Sequence, residues 1–234
     1  MDIDIEFYKK IADNEINNPQ WGLSKQFIEV NEFEKTNNEY VYERYSIGDQ
    51  TLTMINRNDS SKNIEYNYYE IVFYYKIKDE HYFFGIGVDI NKNDVARVFM
   101  RNATYCYLEA QSSEMTLEEM AKLTNLKYSE GGTKGEKTNR GRGYYGCSWI
   151  TYKFLNETSY ELEECLNILL DELEKDKEGV KKLVEKTDAC INICKYQYVS
   201  ANAGIDIDKR TIQRLNELNL ELMIDMYCTG EYMK

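Results

Sequence analysis

The chain reads as an α+β protein. An N-terminal antiparallel β-meander is followed by a C-terminal β-α-β-α-β-α-β sheet with its helices mainly on one face. Two observations predict the first half: apolar and polar residues alternate with a period of two from about residue 40, and the alternating positions are crowded with tyrosine, which suits a half-buried pleated surface. One predicts the second: from residue 96, strand-like runs alternate with helix-period runs that open on cap residues.

Taken in order, residues 1–39 are polar with weak periodicity. "IEFYKKIA" (5–12) is compatible with one short helix, and "WGLSKQFIEV" (21–30) with a second element, helix or strand. "EYVYERYSI" (39–47) and "QTLTMIN" (50–56) flank Gly48-Asp49, which predicts a hairpin turn there. "IEYNYYEIVFYYKI" (64–77) is a long strand with Tyr69, Ile71, Phe73, Tyr75 and Ile77 on one face, and "HYFFGIGVDI" (81–90) returns beside it. "NKND" (91–94) marks the expected boundary, dividing a Tyr-rich, mainly antiparallel part (1–96) from an α+β part (97–234).

Beyond it, "ARVFMRNATYCYLEA" (96–110) reads as one long strand. Thr116-x-x-Glu119 and Thr158-x-x-Glu161 are capping boxes that open two helices. "CSWITYKF" (147–154) is a strand, and Trp149 is expected in the core. "EGVKKLVEK" (178–186) adds helix, "ACINICKYQYV" (189–199) is a strand, and Asp208 caps a helix over 209–220. "ELMIDMYC" (221–228) closes the sheet. Strict alternation of strand and helix favours a parallel sheet. The long, partly alternating strands favour an α+β layer instead, whose open face is available to the meander or to a partner.

The second half resembles the bacterial family catalogued as domain of unknown function 4279 (DUF4279). The resemblance rests on "MTLEEMAKLTNLKYSEGGTKGE" (115–136), "SWITY" (148–152) and "GIDIDKRTIQRLNELNLELMIDMY" (204–227), and runs from about 98 to 228. It implies an α+β fold and no established activity. The family pattern has a proline after its first helix, and "LKYSEGG" has none.

Composition narrows the functional classes. The net charge is −12 over 234 residues. Such a surface repels phosphate backbones, so duplex nucleic acid is not an expected partner and a basic protein is. The start "MDIDIEFYKK" lacks the basic and apolar regions of a signal peptide, and no run approaches the ~18 apolar residues of a membrane helix. The expectation is a cytoplasmic protein without membrane association, whose 6 cysteines are reduced thiols.

The one locally basic stretch is "GGTKGEKTNRGRGYYGCSW" (131–149), with Lys134, Lys137, Arg140 and Arg142 against Glu136. It nearly spells a phosphate-binding loop, but Glu136 stands where the second glycine belongs, and a helix precedes it where a strand is needed. As a plain connection, its cations stay in water and its tyrosines pack back on the core. As a site, Lys134, Lys137, Arg140 and Arg142 with Tyr144 and Tyr145 capture a discrete anion or an acidic protein segment.

No metal site or cofactor is expected. His81 is the lone histidine, and Cys190 and Cys194 on one strand face lie ~13 Å apart. No catalytic residue is assigned, because a nucleophile–base pair would have to use His81. Asp225 shares a strand face with Met223 and Tyr227. If that face is buried, it needs an ion pair, with Arg101, Lys153 or Lys195 as candidates.

The functional expectation is a non-catalytic protein-interaction module, of an immunity, antitoxin-like or phage-conflict kind, that covers a basic partner. The alternative is a binder or hydrolase of a small anionic ligand in a cleft between the two halves, closed by loop 131–146.

Overall fold

The computed structural model describes residues 3–56, 59–138, 141–199 and 204–233, with the backbone course alone at 52–56 and 59–66. The fold is α+β, and the chain divides into two compact units. One comprises Met1–Asn102, Gln197–Asn202 and Cys228–Lys234; the other comprises Ala103–Tyr196 and Ala203–Tyr227.

The first unit opens with two helices. Asp4 caps α1 (Ile5–Asn17) by accepting the Phe7 N–H at 3.1 Å, and α2 (Gly22–Val30) resolves the helix-or-strand ambiguity in favour of helix. A small hairpin, β1 (Lys35–Thr36) and β2 (Glu39–Tyr40), turns on Asn37 and Asn38, both left-handed. Asparagine tolerates that conformation better than most residues.

Next come β3 (Tyr42–Asn56), β4 (Asp59–Lys76), β5 (Phe83–Asp89) and β6 (Asp94–Arg101), an antiparallel meander in the order β3-β4-β5-β6. Gly48-Asp49 is not a turn. The alternation of Tyr45, Ile47 and Asp49 runs straight through it, and Gly48 and Asp49 pair with Glu70 and Tyr69 of β4, which is long enough to match the whole strand. The Asn91–Asp94 turn lies inside this sheet, since Asp89 pairs with Asp94. The run 96–110 is therefore two strands: the chain leaves the first sheet at the buried Asn102 and enters the second at Ala103.

One face of the meander packs under the helices. Phe27 of α2 stacks on Phe84 at 4.5 Å, and the Tyr75 hydroxyl donates to Asp13 of α1 at 2.7 Å. The other face is sealed by arginines. The guanidinium of Arg44 lies 4.3 Å from the Tyr74 ring and that of Arg97 lies 4.7 Å from Phe99, while Arg97 also grips the buried Glu70 through two nitrogens. Gly85 and Gly87 make room for this layer, because a Cβ on either would come within 2.5 Å of the Phe99 ring or the Glu70 carboxylate.

In the second unit, β7 (Ala103–Ser112) leads to α3 (Leu117–Ala121), opened by the Thr116/Glu119 capping box, with both reciprocal bonds present. A strand missing from the sequence reading follows, β8 (Glu130–Gly132), and then β9 (Ser148–Tyr152). α4 (Leu162–Leu173) starts later than the second box predicts. Glu161 takes the N-cap position without a side-chain cap, and Thr158 is buried, its carbonyl accepting the Thr104 N–H. A 3-10 turn joins α4 to α5 (Lys177–Lys186). β10 (Asp188–Tyr198), α6 (Lys209–Glu217) capped by Asp208, and β11 (Glu221–Thr229) complete the unit.

The sheet order is β11-β10-β7-β9-β8. β7 pairs antiparallel with both β10 and β9, and β9 with β8. β11 runs parallel to β10: Tyr196 stacks on Tyr227, and further along Val199 donates to the Thr229 carbonyl. The helices cover the face that carries Leu108, Ala110, Ile150, Tyr152, Ile191 and Ile193, all at most 1% exposed.

Candidate functional site

The basic stretch folds as a hairpin extension of the second sheet. Gly135 N–H donates to the Tyr145 carbonyl and Tyr145 N–H to the Glu136 carbonyl, both at 2.9 Å, while Lys137 bridges Tyr144. Thr138 N–H reaches the Gly143 carbonyl, and its hydroxyl reaches the Arg142 carbonyl, both at 3.1 Å. Gly135, Gly141 and Gly143 have positive φ, which only glycine adopts freely. Glu136 accepts the Thr133 N–H at 3.0 Å, so the carboxylate that spoils a phosphate loop organises a turn.

The predicted site residues are not gathered at one point. Lys134 donates its Nζ to the Ser113 carbonyl at 3.1 Å. Lys137, Arg142 and Tyr144 are exposed on the hairpin. Tyr145 turns back, edge-on to Trp149 at 5.9 Å. Arg140 lies outside the described residues. Gly132 is the seat of the Tyr145–Trp149 pair, since a Cβ there would lie 2.7 Å from the Tyr145 ring and 2.8 Å from Trp149 Nε1.

Trp149 thus lies not in the core, as expected, but half-buried on the other face of the sheet, which no helix covers among the described residues. Strand pairing assembles that face. Tyr105 sits opposite Cys194, Tyr107 opposite Asn192, and Glu109 opposite both Cys190 and Thr151. Aromatic rings run across it: Tyr105 meets Tyr196 at 6.0 Å, and Tyr196 stacks on Tyr227 at 5.0 Å.

Carboxylates lie beside them. Burial pushes the Cys190 thiol up, and Glu109, Asp188 and Glu221 push it further. Burial raises the Cys194 thiol as well, with Asp225 adding to it. By register Glu109 and Asp188 fall on this face, and Glu221 and Asp225 alternate with Leu222 and Ile224, which pack on the core, so four carboxylates from three strands share one face with these rings. The cation Lys153 sits 5.2 Å from the Tyr105 ring.

Asp225 is not a buried ion-pair residue. Its face is open, with Met223 53% and Tyr227 48% exposed, and Asp225 itself is exposed. Water solvates the carboxylate, so no buried partner is required. Two of the expected partners lie elsewhere: Arg101 stacks on Tyr74 and Phe99 in the first unit, and Lys195 is buried on the helix side, donating to the Gly204 carbonyl at 3.1 Å, while the third, Lys153, shares the open face but lies over the Tyr105 ring.

Sequence reading missed the acidic–aromatic face because its members are scattered between Tyr105 and Tyr227. The available signal was parity: each of these residues is out of phase with the apolar positions of its own strand. Among the described residues, no group of three or more His, Cys, Asp or Glu is placed to hold a metal ion, and no helix is long and apolar enough to cross a membrane.

Residues 102–229 match the family model described as domain of unknown function (DUF4279). No curated protein and no solved structure matches the chain.

Proposed function

The chain belongs to the DUF4279 family, a domain of unknown function, and from the open face of that domain we propose that the protein is a non-catalytic interaction module for a basic protein partner. One observation carries the reading. Tyr105, Tyr107, Tyr196, Tyr227 and Trp149 share an uncovered sheet face with Glu109, Asp188, Glu221 and Asp225. Tyrosine and tryptophan are favoured interface anchors, with large rigid area at low entropic cost. Carboxylates among them select lysine- and arginine-bearing surfaces and speed encounter with them. A net charge of −12 acts in the same sense at longer range.

An immunity or antitoxin-like role, or one in phage conflict, is the biological form this chemistry suits best, because a basic toxin surface needs an acidic cover. The alternative, a small anion held by the 131–146 cations, has less support, since the Lys134 amine is already engaged by the Ser113 carbonyl.

The test is quantitative affinity capture from the native host with three baits: the unaltered chain, Asp225→Lys/Tyr227→Ala, and Lys134→Glu/Lys137→Glu/Arg142→Glu. The expected result is a basic protein, encoded beside the gene, held by the first and third baits and lost with the second. Equal recovery by the second bait refutes the open face, and loss with the third alone hands the site to the hairpin.

A further inference from the structure

The open face ends at a strand with one unused edge. β11 lies at the margin of the sheet and pairs, among the described residues, with β10 alone. It is nine residues long. Its sequence ELMIDMYCT contains no Lys or Pro, two of the residues by which natural edge strands are blunted, and its two charges, Glu221 and Asp225, both alternate onto the open face. The opposite margin, β8, is three residues long and offers little to pair with. Met223, Met226 and Tyr227 are 53%, 45% and 48% exposed, so apolar side chains stand out on both faces of β11.

Resting on the function proposed above, we infer that the partner is captured by strand addition: an extended segment pairs with the outer edge of β11 and continues the sheet. The pleat dictates its composition. Side chains on the open face come to lie beside Glu221 and Asp225, with cross-strand Cβ separations of about 5 Å, so lysine or arginine belongs there. Side chains on the helix face come to lie beside Leu222, Ile224 and Met226, and Leu222 and Ile224 already pack on the core, so apolar residues belong there. The occupant is a segment alternating basic and apolar residues.

A second copy of this chain fits less well. Two-fold pairing of β11 with itself brings the Glu221 and Asp225 rows of two acidic proteins together, and like charges opposed across strands are destabilising.

The test uses the full chain and capped nine-residue peptides labelled for fluorescence anisotropy at physiological salt. One alternates Lys and Val, one alternates Glu and Val, and one is the Lys-Val peptide N-methylated throughout, which keeps its charges and side chains but removes its backbone donors. The Lys-Val peptide is expected to bind and the Glu-Val peptide not to. N-methylation should weaken binding by about a hundredfold or more through the lost ladder bonds. Glu221→Lys/Asp225→Lys should weaken the Lys-Val peptide by about tenfold and let the Glu-Val peptide bind. Both substitutions are at exposed positions, and circular dichroism checks that the fold is kept. Equal binding of the N-methylated peptide overturns strand addition while leaving an acidic binding face in place. Indifference to charge reversal overturns the acidic face itself. Sedimentation of the unaltered chain as a dimer that the double substitution alters assigns the edge to a second copy and overturns the proposal.

Discussion

Gly132 is the sharpest place to test how the glycine-rich hairpin is built. A Cβ on Gly132 would sit 2.7 Å from Tyr145 Cε2, 3.1 Å from Tyr145 Cδ2 and 2.8 Å from Trp149 Nε1. Ordinary contact needs about 3.5–4.0 Å, so two rings must each retreat by about 1 Å. Trp149 is fixed by β9, which pairs on both sides. If the rings stay, overpacking costs about 1–3 kcal/mol. If Tyr145 swings into water instead, the edge-on pair is lost, at about 0.5–1.5 kcal/mol. Gly132→Ala should therefore cost about 0.5–3 kcal/mol, at the upper end if the rings stay and at the lower end if Tyr145 swings out. Gly146→Ala, in the same stretch, meets nothing within 4 Å and has no positive φ, so it should lie within about 0.5 kcal/mol of the unaltered chain. Urea unfolding in a Trp21→Phe background isolates the fluorescence of Trp149, since the chain has 2 tryptophans. Adding Tyr145→Ala should recover part of the Gly132→Ala loss, because the two sites share one contact. Equal midpoints for Gly132→Ala and Gly146→Ala would refute the close approach and the face assigned to Trp149 with it.

Lys195 tests the opposite face. It is 1% exposed, the Gly204 carbonyl is its hydrogen-bond partner, and the buried Thr104 Oγ1 across the strand pair has no partner among the described residues. Lys195→Met should raise stability by about 1–2 kcal/mol in urea titrations, because the one bond the amine makes among the described residues returns less than its burial costs. A loss of that size would show that the amine is better satisfied than the Gly204 bond alone implies. Asp208 supplies a pH signature. Its carboxyl is held below the usual value near 3.8 by the Thr211 N–H it accepts, so the cap stabilises α6 in full above that value and fades as pH falls through the lowered one. Asp208→Asn keeps the cap and should flatten this acid limb in thermal melts between pH 5 and about 2, whereas Asp208→Ala should lower the melting temperature already at pH 7.

Local chemistry was legible in the sequence where one short segment carries the whole signal. The Thr116/Glu119 box and the Asp208 cap form as their spacing requires, because both partners of each bond lie within one helical turn. The meander was legible in outline because β4 and its return strand β5 are rich in strand-forming residues on either side of a short polar turn. What escaped was decided by partners far along the chain. Gly48-Asp49 has turn chemistry, yet β4 offers a continuous ladder across it, and a chain already paired on both sides of a glycine has no reason to reverse. Residues 96–110 look like one strand because both halves alternate; the break at Asn102 comes from two sheets competing for them, β5 taking one half and β10 with β9 the other.

The same logic governs the candidate site. Charge clustered in sequence, as in Lys134 to Arg142, drew attention to the hairpin because its residues are neighbours on paper. Pairing in the sheet disperses them, sending Lys134 to Ser113 and leaving Lys137 and Arg142 in water. It also gathers Glu109, Asp188, Glu221 and Asp225, which no window of the sequence holds together. A surface made of alternate residues from several strands is invisible to any local reading. It can be found from sequence only by first fixing the register and then asking which parity of each strand the core leaves over.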